Sequence, residues 1–387
     1  MGSTTPGHGS VDVAVIGAGI VGAACAYELA GAGLQVAVLE RESVPAACST
    51  GRSAAGVRVQ WTDPVNVALS RHSIEVLRDF ATEFGVDSGY RPVGYLFLVP
   101  EEHWPDHLAG VEVQRAGGAP VQVLSLDEAA RRFTPFDPTG LAGATFGPID
   151  GVVDPHAITL AYLRRARERG ARLRLDAEVT RIERGADDWG LLAGGRELRA
   201  RVVVNAAGAW AGRVGAMAGV WVPVEPARRM IWSTAPRRGR ATTPLTVDVA
   251  SGVYFRSEGE RLLLGRSNPD EQPGFVTGID WEFLEPTLAL TVARFPWFAR
   301  EELDARASWY GYYELTPDHN GIIGASRQVA GWVDASGFSG HGVQQAPAVG
   351  RAVREEIVDG RAHSIDIDPL RVGRFATGAH RHDRHVV

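Results

Sequence analysis

The chain has 387 residues, with 45% hydrophobic and 22% charged side chains, 46 glycines, two cysteines and a formal net charge of −6. That length exceeds one compact core and points to two domains, while the acidic balance excludes a nucleic-acid scaffold without excluding an anionic ligand that meets a local arginine. Cys25 and Cys48 are too few for a disulfide framework or a CxxC metal site; with no apolar run long enough to span a membrane and no signal-peptide core in residues 1–10, a cytoplasmic enzyme without a metal is expected.

In chain order, the short apolar run 13–16 ends at Gly17 and reads as a buried parallel strand. A helix is expected over 20–30, closed by Gly31 and Gly33, and a second strand over 36–39 ends at Glu40. Asp63-Pro64 starts a helix over 63–84, with an N-cap and then proline at the first position. A strand follows over 93–99, a short helix over 127–133, and a helix opened by Asp154-Pro155 that stops before Gly170. Val202 to Val204 form another buried strand. The segment 222–310 is rich in tryptophan, proline and short β-like runs, among them 253–256 and 261–264, and suits an antiparallel sheet. A helix over 342–358 and a His- and Arg-rich, disordered tail from Gly378 complete the pass. Cys25, inside the first helix, reads as a buried structural thiol.

Gly17-Ala18-Gly19-Ile20-Val21-Gly22 is a GxGxxG between a strand and a helix. Gly17 permits the tight turn, Gly19 lets backbone approach a pyrophosphate, and Gly22 lets helix and strand pack closely. The helix N-terminus, beginning at Ile20, presents free N–H groups to phosphates. Glu40 ends the next strand, where a carboxylate can bind ribose hydroxyls. Dinucleotide binding follows, with a ligand-free glycine turn as the alternative; the fingerprint alone does not separate FAD from NAD. Three further segments bear on that choice. The strand 202–204 runs through Asn205 and Ala206 into Ala207, Gly208, Ala209 and Trp210, and the small residues at its end let a flat or phosphorylated ligand approach. Thr316-Pro317-Asp318 lies in a turn-rich stretch. Gly337-Phe338-Ser339-Gly340-His341-Gly342 opens a helix whose N–H groups can face an electron-rich carbonyl.

With these segments, the GxGxxG with Glu40, and 49–58 (STGRSAAGVR), the chain resembles the D-amino-acid oxidase (DAO) superfamily of FAD-dependent oxidoreductases, nearest the sarcosine oxidase, dimethylglycine dehydrogenase and glycine oxidase branch. The resemblance covers about 11–358. It implies an α/β (α+β overall) fold: a glutathione-reductase-type, Rossmann-like FAD domain built from 11–85, 150–221 and 315–370, and an antiparallel β-sheet substrate domain from 86–149 and 222–314, between flexible tails 1–10 and 378–387. It also implies hydride transfer from the carbon bearing the nitrogen of a small amine or amino acid to flavin, giving an imine that water hydrolyses.

The residues follow from the same resemblance. FAD contacts fall on Gly17, Gly19, Ile20, Gly22, Glu40 and Arg41, then on Arg52 and Ser53 of the following loop. They continue through Val179, Ala207, Gly208, Trp210 and Gly311, and end on Gly337, Gly340, His341, Gly342, Val343 and Gln344. Arg52 otherwise reads as a solvated loop arginine. Arg58 matches an arginine that grips the substrate carboxylate, a role suited to a planar guanidinium, with a structural ion pair as the alternative. Tyr254 lines the substrate pocket by family likeness, and His341 bonds flavin or substrate, or supports its loop. Arg256 and Arg266 are secondary anion candidates. Trp309 and Tyr313 cover the flavin or pack the core.

Departures from the family matter too. Monomeric sarcosine oxidases tether flavin through a cysteine where this chain has Gly311, so FAD is expected to be non-covalent. Pro155 stands where the heterotetrameric enzyme's β subunit has an FMN-linking histidine, with His156 one residue on. Leu263 and Gln344 take the places of two lysines, one that activates oxygen and one that binds the substrate carboxylate. Oxygen or another electron acceptor therefore remains open, and dehydrogenase activity gains ground. The alternative is a flavoprotein electron-transfer or assembly subunit of a larger dehydrogenase, with a partner subunit and no turnover of its own.

Overall fold

The strand Ser10–Ile16 is buried almost continuously from Val13 to Ile16, as a parallel strand covered on both faces must be. In this computed structural model, which describes residues 9–239 and 241–378, it lies inside an eight-stranded sheet. Parallel neighbours Arg196–Asn205 and Val36–Leu39 flank it, Arg172–Arg174 and Trp332–Ser336 lie beyond them, and Ile322–Ala325 forms one edge. A hairpin of Val179–Arg184 and Trp189–Ala193 extends this sheet from Arg196–Asn205. The register pairs Ile16 with both Asn205 and Leu39. Three strand ends therefore stop side by side, and Gly17, Glu40 and Ala206 share one crevice, where open α/β sheets hold their ligands.

The helices Ile20–Gly31, Pro155–Glu168 and Gly342–Val358 pack on one face of that sheet. The helix expected over 63–84 is two: Pro64–Arg78, capped by the Asp63 carboxylate on the Val65 N–H, and Phe80–Phe84. The break at Asp79 turns Phe80 and Phe84 inward, where they stack at 4.1 Å and meet Tyr162 at 5.4 and 5.0 Å.

A second eight-stranded sheet draws on Tyr95–Pro100, Gln122–Leu124 and Leu141–Gly147, and on the strands between Glu225 and Leu315. It is antiparallel except where Leu245–Asp248 runs parallel to Tyr95–Pro100, a pairing that local alternation cannot reveal because it joins segments far apart in the chain. The helix Leu284–Arg294 interrupts the β-rich stretch, and Trp104–Ala116, with Pro105 in its first turn, is a further helix beyond those expected. One face of this sheet buries Leu96, Leu98, Met230, Trp232, Phe255 and Leu264 in its own core. The other turns Tyr95, Val247, Tyr254, Ile231 and Arg229 toward the first sheet. The tails expected at 1–10 and 378–387 fall almost wholly outside the described residues; Ser10 already belongs to the first strand, and Gly378 ends the last helical turn at φ 68°.

Candidate active site

The glycine turn is built so that no side chain fits. Gly17 has φ 105°, and a Cβ there would lie 2.4 Å from the Ala206 carbonyl oxygen. A Cβ on Gly22 would lie 2.1 Å from the Gly17 carbonyl oxygen, so the helix is pressed against the turn. Gly19 caps the twelve-residue helix without a side-chain hydrogen bond, and the first turn carries no acidic residue. Thr50 Oγ1 accepts from the Ile20 N–H at 3.1 Å. The Glu40 carboxylate accepts from Ala18 and Glu42 N–H groups at 2.7 and 3.0 Å, fixed at the strand end where hydroxyl groups can reach it. An open helix N-terminus beside a turn with no room for Cβ fits a diphosphate.

A cavity of about 380 Å³ begins at this turn and runs between the two sheets. Gly17, Gly19, Ile20, Glu40, Arg41 and Val179 line one end. Arg41 lies with its guanidinium carbon 3.7 Å from the centre of the Trp210 ring and near Cys48, the half-buried cysteine. Arg52, Ser53, Ala207, Gly208 and Gly311 form the middle of the wall. Gly311 packs against Arg52, whose Cβ a Cβ on the glycine would approach to 3.1 Å. Gly340, His341, Gly342, Val343 and Gln344 also line the cavity, at the start of the seventeen-residue helix Gly342–Val358.

Two expected contacts lie outside the lining. Gly22 is buried in the helix–strand contact, and Gly337 sits behind the wall, donating its N–H to Glu314 Oε2 at 2.8 Å. Arg256 and Arg266 also lie elsewhere: Arg256 Nε donates to the Ala54 carbonyl at 2.5 Å and Arg266 Nε to the Ser251 carbonyl at 2.9 Å. Trp309 donates Nε1 to the Arg52 carbonyl at 2.8 Å in an outer groove. Asp318 of the Thr-Pro-Asp segment is an internal clamp, bound by Arg374 Nε and Nη2 at 2.8 and 2.9 Å. Cys25 is fully buried, and burial pushes its thiol far up, as an inert packing residue requires.

The far end is polar. Arg58 donates its backbone N–H to Gln344 Oε1 at 2.7 Å, donates Nη1 to the Gln60 carbonyl, and stacks 3.6 Å from the Trp61 ring. His341 meets the same indole edge-on at 4.3 Å. Burial and then the nearby Arg58 charge hold its imidazole well below the usual histidine range, so it is neutral at physiological pH. Behind Arg58, Asp150 accepts from the Val59 N–H and Gln60 Nε2, both at 2.8 Å, and burial raises it to about 7.

Tyr254 lies across Gly265, where a Cβ would meet its ring at 2.2 Å. It is paired with Tyr313, and burial raises its hydroxyl well above the usual range. Tyr313 lines the cavity as well, while Leu263 is buried outside the lining. The sequence contains no lysine at all, so every cation on this wall is an arginine or a histidine.

Sequence reasoning missed Arg229, Tyr95 and Glu314. For Arg229 a signal existed: along Glu225–Thr234, Met230 and Trp232 mark the core face, which sends Arg229 and Ile231 the other way. Tyr95 carries no such signal, because both faces of its strand are apolar. Glu314 joins the site only through the Gly337 loop, which nothing local predicts.

A family model described as FAD dependent oxidoreductase (DAO) matches residues 12–356. FAD-dependent oxidoreductase domain-containing protein 1 of Bos taurus is 32% identical, over 95% of this chain and 85% of that protein. The crystal structure of L-proline dehydrogenase from P. horikoshii superposes with a TM-score of 0.89 at 30% identity, covering 96% of this chain and 100% of the other. Glycine oxidase from Geobacillus kaustophilus follows at 0.82 and 26%, covering 95% and 99%.

Proposed function

Because the chain belongs to the DAO family of FAD-dependent oxidoreductases, we propose that it oxidises the carbon–nitrogen bond of a small amino acid or amine as a dehydrogenase. The observation that carries this reading is one continuous cavity joining the glycine turn to Arg58, Tyr254 and His341. FAD held along this cavity would supply the two-electron acceptor for the hydride on the carbon that bears nitrogen. The protein's part is holding and excluding.

The turn of Gly17 and Gly19 receives the diphosphate, Glu40 the ribose hydroxyls, and the N–H groups opening Gly342–Val358 favour negative charge near Gly340 and Gly342. Burial holds His341 neutral, and Arg58, which contributes fixed positive charge, acts in the same direction. Tyr95, Leu245, Val247 and Tyr254 cover the reacting end and exclude water from it. The imine product leaves and is hydrolysed by water.

The lysine-free wall supports an acceptor other than oxygen, whether a carrier or a partner subunit. The two free thiols suit a reducing compartment, and we assign the reaction to the cytoplasm; among the described residues no helix is long and apolar enough to cross a membrane. Proline and glycine, named for the two structures above, are the first compounds to try, followed by N-methyl amino acids. The test is steady-state turnover with each, once with a reducible dye and once in air with peroxide detection. Dye reduction well above peroxide release is expected. Peroxide release matching dye reduction would make the protein an oxidase, and no turnover with any amine would remove the reading.

A further inference from the structure

The segment 266–283 joins the strand Arg261–Gly265 to the helix Leu284–Arg294 and forms neither helix nor strand. Connections longer than roughly 15 residues without secondary structure are uncommon in a compact fold, and those that persist are often lids or binding loops. This one is tied at its neck by a single side chain. Arg228 donates Nε and Nη2 to the Glu271 carboxylate at 3.0 and 3.1 Å, Nη1 to the Gly278 carbonyl at 3.1 Å and Nη2 to Asp280 at 3.4 Å. Glu271 lies on one side of the tip 272–277, and Gly278 and Asp280 lie on the other, so one guanidinium closes the base of the loop. The Arg228 and Glu271 side chains are 12% and 5% exposed, which makes this the firm end.

The tip is held more lightly. Gly274 donates its N–H to the Pro226 carbonyl at 2.7 Å, and the Tyr312 hydroxyl donates to the Val276 carbonyl at 2.9 Å. Between them Phe275 stacks on Trp210 at 4.6 Å and 20°, with the Arg213 guanidinium carbon 4.3 Å from its ring centre. Val276 is 42% exposed at the crest. Gly274 and Gly278, at φ 155° and 86°, bracket this tip with backbone that other residues adopt poorly. Two hydrogen bonds and a ring stack hold less firmly than a bidentate, half-buried ion pair, so local opening starts at the tip and stops at the neck.

What the tip covers gives that opening a consequence. Trp210, Arg213 and Tyr312, the residues it grips, all line the cavity that begins at the glycine turn, and Phe275 lies behind them, outside the lining. Arg41, another lining residue, stacks on the same Trp210 ring. Withdrawing Phe275 therefore unpins Trp210 and, through it, Arg41. A dinucleotide lying between the two sheets leaves only where the wall yields, and here the wall is backed by a loop rather than by a strand.

We propose that the segment 266–283 is a gate for FAD exchange, with Phe275 as its latch and Arg228 as its hinge post. The gate goes beyond carbon–nitrogen oxidation and rests only on FAD occupying the cavity. A gate acts in both directions: a weakened latch speeds release and entry alike and leaves the equilibrium affinity nearly unchanged. A residue that merely props the bound state changes the affinity instead.

The test mixes the FAD-loaded protein with an excess of isotopically labelled FAD and follows exchange of the bound flavin by mass spectrometry, beside a titration of flavin affinity by fluorescence. Phe275→Ala is expected to exchange roughly 10-fold faster or more, with affinity changed by less than about threefold. Phe275→Trp, which restores a ring, should return exchange to near the wild-type rate. Should the alanine variant be isolated without flavin, Tyr312→Phe decides, because it removes one hydrogen bond to the tip and should speed exchange by about threefold or more at unchanged affinity. Exchange at the wild-type rate in Phe275→Ala, or faster exchange matched by an equal loss of affinity, would overturn the proposal. Both measurements run without any amine, so a failed gate leaves the oxidation reading untouched, and absence of turnover with amines leaves the gate standing.

Discussion

Glu314 is a carboxyl group on the cavity wall with no cation among its partners. Burial raises it to about 7, against the pull of the Gly337 and Phe338 N–H groups that favour its charged form. The sign of the consequence is fixed. Between the ordinary carboxylate range and about pH 7 the folded chain keeps a proton that the unfolded chain has released. Stability therefore falls as pH rises through that window, by roughly 3 kcal/mol for this group, and stays flat above it. Glu314→Gln, which still accepts from Gly337, should show a smaller loss of thermal stability from about pH 5 to about pH 8 than the wild type; an identical slope would place the titration elsewhere. Glu40 was legible because its neighbours in sequence define it, at a strand end beside a glycine turn. Glu314 was not, because its environment comes from a loop more than twenty residues away, and charge alone does not reveal burial.

The strand–turn–helix at the N-terminus is the element to which the proposed reading assigns the FAD diphosphate. Gly17 and Gly22 touch each other's backbone, and each excludes a Cβ by its own contact. Gly22→Ala forces a methyl group to 2.1 Å from the Gly17 oxygen. It should cost about 1–3 kcal/mol and lower the flavin-to-protein ratio; a variant that keeps both full flavin and full stability would show that the turn has slack. This element was readable from six residues because its spacing is set by backbone sterics. The break at Asp79 was not, since it follows from burying Phe80 and Phe84 against Tyr162, a residue of another helix. The Thr-Pro-Asp segment was visible as a pattern, while its clamp partner Arg374 lies far along the chain.

At the scale of the molecule, two sheets face each other across one cavity, and each supplies what the other lacks. The first brings backbone N–H groups and tight turns; the second brings tyrosines, Arg229 and an apolar cover. The three central strands of the first sheet, at 13–16, 36–39 and 202–204, were legible because strands covered on both faces are continuous apolar runs, while their order and the outer strands were not. The second sheet's wall was not, because the parallel pairing of Leu245–Asp248 with Tyr95–Pro100 joins distant segments, and that pairing sets which side chains meet the ligand. The central claim is the proposed reading, in which FAD bound at the glycine turn would accept electrons from the carbon–nitrogen bond of a small amino acid or amine bound in the same cavity. The direct measurement is to mix the FAD-loaded protein, without oxygen or any other acceptor, with a series of α-amino acids and with the matching α-hydroxy acids, and to follow the flavin's visible absorption. The account predicts bleaching by at least one amino acid and by none of the hydroxy acids. A flavin that stays oxidised with every amino acid, or a protein that retains no FAD at all, would contradict it.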